Sequence, residues 1–154
     1  MQHETPSTAG RTGLRRSFLR VVPALALLGL TSACTHGAPG NLDLASERLT
    51  EQGAFRVSYK SDSTPVPVHR LHTWTVHVAT ADGRPVTDAS LKVDGDMPGH
   101  GHGMPTRPRV TRSLGDGNYL VEGMKFQMGG WWVVDFTIDA HGQHDTVRFN
   151  MLLK

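Results

Sequence analysis

Cysteine is almost absent: Cys34 is the only one among 154 residues. One thiol cannot make an internal disulfide, so the fold must rest on its core alone. Long apolar runs are missing too. The longest, "VVPALALLGL" (Val21–Leu30), is about half of the ~20 residues that span a bilayer, which argues against a transmembrane helix. No internal repeat is visible, and no segment carries a convincing helical period. Enzyme constellations are equally scarce. There is no G-x-S-x-G elbow and no phosphate-binding glycine loop ahead of a helix. "HGQH" (His141–His144) is an i, i+3 pair, but no helix surrounds it and no Glu follows His141. It reads as a polar hairpin tip. The carboxylates fall in turns or on outward strand positions, and nothing pairs two of them as acid and base. A non-enzyme without a small-molecule substrate is the expectation.

What is present begins with an export signal. "RTGLRRSFLR" is basic, the apolar run follows, and "TSAC" ends at Cys34. That is the n-region, h-region and small-residue cleavage pattern of a secretory signal. "RRSFLR" (Arg15–Arg20) resembles the twin-arginine export motif. "LTSAC" resembles a lipobox, with Leu30 one place earlier than usual and Thr31 in its stead. Cys34 is therefore the expected lipidation site of a periplasmic or otherwise extracytoplasmic lipoprotein, anchored through acyl chains. The other reading is a soluble exported protein with Cys34 lost or free. Thr35 stands where an Asp often retains lipoproteins at the inner membrane, which favours the outer one.

Removing the signal changes the charge. Residues 1–33 hold four of the 16 Lys and Arg and one of the 14 Asp and Glu, leaving 12 basic and 13 acidic side chains. The basic whole-chain balance thus belongs to the signal and gives no reason to expect nucleic acid as a partner.

Residues 34–53 read as a tether, with "NLDLASERLTEQ" suited to a turn or two of weak helix. From 54 to 154, period-two alternation dominates. Phe55, Val57 and Tyr59 share a face. So do His72, Trp74, Val76 and Val78, and then Ala89, Leu91 and Val93. "RVTRSL" is a short strand. "YLVEGMKFQM" is a strand whose glycine marks a bulge. Trp132, Val134, Phe136 and Ile138 alternate inward, as do Val147, Phe149 and Met151. "ADGRPV", "GDGNY" and "HGQHD" are turns. Seven strands in about 100 residues predict an all-β, immunoglobulin-like antiparallel β-sandwich.

One stretch fits neither strand nor helix: "DMPGHGHGMPTRP", Asp96–Pro108. His100 and His102 are two apart, so an extended backbone points both imidazoles to one side. Met97 and Met104 flank them. Downstream, Met124, Phe126 and Met128 share a face. Thioether and imidazole without thiolate suit copper better than zinc, magnesium or calcium. Outside the cytoplasm these ligands persist where a thiol would oxidise. Met124 and Met128 serve equally as core filler. His72 faces inward and reads as a buried, hydrogen-bonded histidine, while His77 faces outward.

At these residues the chain resembles the FixH/YtkA-like family of small exported or membrane-anchored β-sandwich domains. "TWTVHVATADGRPVTDASLKVDGDMPGHGHGMP" is similar to its strand, turn and strand ending in a Met- and His-rich loop. "GDGNYLVEGMKFQMGGWWVVDFTI" is similar to its G-x-Y…F-x-M-x-G-x-W segment. The resemblance implies an immunoglobulin-like sandwich often linked to copper-handling and respiratory-oxidase assembly proteins. It places the Met/His loop on Met97, His100, His102 and Met104. It places the Met-Gly-Trp segment on Met128, Gly129 or Gly130, and Trp131 or Trp132. Two functions follow as expectations. One is a lipid-anchored copper carrier, buffer or oxidase-assembly accessory using His100, His102 and Met104, with Met97, Met124 and Met128 as further candidates. The other is a metal-free module that docks on a membrane complex through a sheet edge or the Trp131/Trp132 region.

Overall fold

The computed structural model describes residues 38–154; the export segment and Cys34 lie outside them. The described residues form nine strands and no helix: β1 (Glu47–Leu49), β2 (Phe55–Ser61), β3 (His72–Thr80), β4 (Ser90–Met97), β5 (His102–Gly103), β6 (Arg109–Gly115), β7 (Asn118–Met124), β8 (Gly130–Ala140) and β9 (Gln143–Leu153). The spatial order is β1-β2-β3-β7-β6-β4-β8-β9, all pairs antiparallel, with β5 paired to β4. Seven of the nine are the strands expected from alternation.

The sheet folds over on itself. β4 and β6 share one register pair, Lys92 with Arg109, whereas β8 and β9 pair along their whole lengths. The first and last strands approach each other again: the Glu51 N–H donates to the Thr146 carbonyl at 2.8 Å, and the Asn150 amide donates to the Asp43 carbonyl at 3.1 Å. The result is an all-β, sandwich-like, nearly closed sheet. Its inward faces are those that the alternation marked. Phe55, Val57, Trp74, Val76 and Val78 from one layer meet Trp132, Val134, Phe136, Ile138 and Phe149 from the other, all fully buried. Tyr59 stacks on Trp74 with ring centres 4.4 Å apart. The described residues thus close a core without a disulfide.

Turn chemistry sets the hairpins. His141 and Gly142 have φ of 53° and 72°, and Asp116 and Gly117 have 49° and 70°. Two consecutive positive φ values make the type I′ turn, whose twist matches the flanking strands. A Cβ on Gly117 would lie 2.4 Å from the Val78 carbonyl oxygen, so only glycine fits there. The bulge at Gly123 is present: from His72 to Trp74 the partner on β7 moves from Met124 to Val121, one residue more on β7 than on β3.

Part of the stretch expected to be a tether is sheet. Instead of weak helix, Glu47–Leu49 add a strand to β2, and Thr50 behind them is 4% exposed. Three residues are too few to show a period, so pairing with β2 rather than local propensity makes them a strand.

Candidate metal centre

The Met/His stretch is a hairpin. Beyond β4, the N–H groups of His100 and Gly101 both donate to the Met97 carbonyl, at 2.9 and 3.0 Å. This tight turn lets β5 double back on β4, pairing Met97 with His102 and Asp96 with Gly103. The Met104 N–H then donates to the Gly95 carbonyl at 3.0 Å. Directly opposed residues point to the same side of an antiparallel pair, as do residues two apart. Met97, His102 and Met104 therefore share one side of the hairpin.

Two glycines make room for the methionines. A Cβ on Gly95 would meet the Met104 Cε at 2.2 Å, and one on Gly130 would meet the Met97 Cε at 2.5 Å. Met97 is 2% exposed and belongs to the core. Met104 packs half-buried against that core. His100 is exposed at the turn and His102 is half-buried, their ring centres 5.8 Å apart. An imidazole nitrogen binds a metal at about 2.0–2.1 Å, so two rings on one ion can have centres up to roughly 6.4 Å apart. The observed spacing fits. A cleft of about 170 Å3 beside the pair is lined by Met97, His100, Gly130, Trp131 and Leu152, with Ala38 at its rim.

His102 is held on two sides. Its ring lies 5.9 Å, edge-on, from Trp132. The Gln127 Nε2 lies 2.9 Å from His102 Nδ1 and donates to the Gly103 carbonyl at 3.0 Å. A carbonyl only accepts, so Nε2 is the donor there, and its second proton is available to an unprotonated Nδ1. His102 Nδ1 also lies 3.4 Å from the Gly103 carbonyl, so a ring protonated on Nδ1 can donate there instead and leave the Nε2 lone pair free. Gln127 Oε1 is buried without a partner.

The remaining candidates are carried by β7 and by the segment between β7 and β8. Met124 is fully buried and stands opposite His72 in the β3–β7 register. Met128 packs half-buried against the core, and its carbonyl accepts the Trp132 indole N–H at 3.1 Å. His72 is buried at 5% exposure, with Nδ1 3.2 Å from the Arg70 carbonyl and Nε2 unpartnered. Trp132 is fully buried, so of the adjacent pair only the half-buried Trp131 reaches the surface. The structure thus carries Met97, His100, His102 and Met104 on one hairpin, and sets Met124 in the core opposite His72. Among the described residues no three His, Cys, Asp or Glu side chains cluster as a metal site. Gln127 was not foreseeable: alternation turns it away from the Met124, Phe126 face, and only the folded hairpin gives it a partner.

The fold and the hairpin define a small, exclusively β domain with a Met/His-bearing end. The chain belongs to the YtkA-like family, whose model matches residues 49–137. Among solved structures it is similar to a DUF4426 family protein from Pseudomonas aeruginosa PAO1, at 21% identity and a TM-score of 0.50, over 70% of this chain and 96% of that one. At that identity the likeness concerns the fold. No curated protein matches the chain.

Proposed function

We propose that this domain is a lipid-anchored, extracytoplasmic copper-binding protein that holds the ion at the β4–β5 hairpin and releases it by ligand exchange. The observation that carries this reading is the hairpin itself. It sets two imidazoles at a spacing one ion can bridge, with two thioethers on the side that His102 faces. His100, His102 and Met104 are the first ligands of the proposal, and Met97 borders one cleft with His100. Mixed thioether and imidazole donors favour copper(I). Partial exposure of His100, His102 and Met104 leaves room for an acceptor to displace them one at a time. No chemical step is needed. A copper-handling or respiratory membrane protein would be the partner, and the lipid on Cys34 would keep the domain beside it.

A copper(I) competition titration of residues 34–154 tests this. The wild-type chain is expected to outcompete a free Gly-His-Gly-His peptide, and His100→Ala/His102→Ala to lose that advantage. Equal affinity for wild type and peptide would remove the carrier reading. It would leave the metal-free docking module, for which the double variant should not alter partner association.

A further inference from the structure

The end of the sandwich that bears the hairpin is also where the described chain begins. The starts of β3 and β8 meet the ends of β4, β7 and β9 there, as the pairs His72–Met124, Asp96–Val133 and Gly130–Leu153 show. Ala38 borders the same cleft as His100, Trp131 and Leu152. Cys34 is four residues earlier, and four extended residues reach at most about 14 Å. Whatever is attached to Cys34 therefore stays close to the hairpin end.

That end bears three of the exposed leucines, while Leu49 and Leu114 lie towards the other. Leu44, Leu71 and Leu152 are 51%, 62% and 53% exposed. Leu44 and Leu152 line a second cleft, of about 410 Å3, with Val66 and Met151. Leu152 is shared by both clefts, so apolar surface runs from Leu44 through Leu152 and Trp131 towards His100. Exposed apolar side chains gathered on one surface mark an interaction site.

We infer that the occupant is the bilayer interface: Leu44, Leu152 and Trp131 rest on the membrane, and His100 and His102 open beside it. The inference rests on the lipid-anchored reading and adds an orientation to it. The short reach from Ala38 selects the bilayer over a distant partner. An indole with one wet and one apolar side suits that depth. An ion released from the hairpin would then leave at the membrane surface, where an acceptor embedded in the bilayer can take it.

Trp131 supplies the readout, because Trp74 and Trp132 are fully buried. Residues 34–154 are coupled through the Cys34 thiol to a maleimide-headgroup lipid in phosphatidylcholine vesicles with brominated acyl chains. Bromine should quench the Trp131 emission, and Trp131→Phe should abolish the quenched component. Leu44→Ser/Leu152→Ser, at two exposed positions, should weaken quenching while the circular dichroism spectrum stays unchanged. Unquenched Trp131 in the tethered protein overturns the inference. So does a dimer in free solution that Leu152→Ser dissolves, if quenching is absent, since the face would then belong to a second copy. Intact mass of the protein recovered from a bacterial membrane tests the anchor separately: an unmodified Cys34 removes the lipoprotein reading, while the tethered vesicles still decide which end faces lipid.

Discussion

Gly95 matters because its missing Cβ is filled by Met104. An alanine there would overlap the Met104 methyl, which is the far end of a flexible side chain and can swing away. Gly95→Ala is therefore expected to leave thermal stability nearly unchanged and to weaken copper(I) affinity, as read in parallel melting and competition experiments. Gln127 offers the opposite sign. Its amide can donate to an unprotonated His102 Nδ1, which favours the ring form with its proton on Nε2, so a metal binding at Nε2 must first shift that proton to Nδ1. In Gln127→Glu the carboxylate would accept a proton from Nδ1 and free the Nε2 lone pair. Pairing a ligand histidine with a carboxylate shifts metal affinity by about 10–100-fold. Copper(I) binding should tighten by about tenfold in Gln127→Glu, and a titration giving weaker binding would show that His102 does not ligate through Nε2. Much at this scale was legible in the sequence. The i, i+2 histidines and flanking methionines stood out because glycine around them supplies no packing reason. The division of the methionines did not. A thioether buried in a core and one aimed at a metal share the same inward face, so alternation gives Met97, Met124 and Met128 one signature.

Among the elements, the long strands were readable because burial imposes a strict period of two over seven or more residues. β1 and β5 were not, since two or three residues carry no period and owe their state to β2 and β4. Between β3 and β4 a side chain from β7 ties down the connection. The Tyr119 hydroxyl, on β7, donates to the Val86 carbonyl at 2.7 Å and accepts the Ala89 N–H at 2.9 Å. Its ring is 3% exposed. Burial raises the phenol's pKa, only partly opposed by the Ala89 hydrogen bond, so it stays a neutral donor at physiological pH. Tyr119→Phe leaves both backbone groups without their partner and should cost about 1–3 kcal/mol in urea unfolding. The loss should appear first as faster hydrogen exchange at Ala89.

For the whole molecule, closure depends on Asp145 at the start of β9. This carboxylate is 1% exposed. It accepts the N–H groups of Gln52, Ala54 and Thr146 at 2.8–3.2 Å, binding the β1–β2 turn to the last strand. Burial alone would raise its pKa, but the Thr50 hydroxyl and these N–H groups outweigh it and hold the pKa below the usual value. A depressed folded pKa stabilises the protein above the unfolded value of about 3.9, and that stability is lost as pH falls through the folded pKa. Urea midpoints should therefore drop below about pH 4, and Asp145→Asn should flatten that dependence. In the same variant an amide N–H₂ would face N–H donors, so stability at pH 7 should fall by about 1–3 kcal/mol.

Closure also brings the two ends of the described chain together. Ala38 and Leu152 border one cleft, and Leu44 and Lys154 another. A short linker from Lys154 to Ala38 could join them, with new termini cut at the exposed His141–Gly142 turn on the far side. Such a circular permutant would keep every strand and its order in space. A purification handle on Lys154 would crowd the hairpin, whereas one on the permutant would hang clear of it, in the solvent beyond the opposite turns.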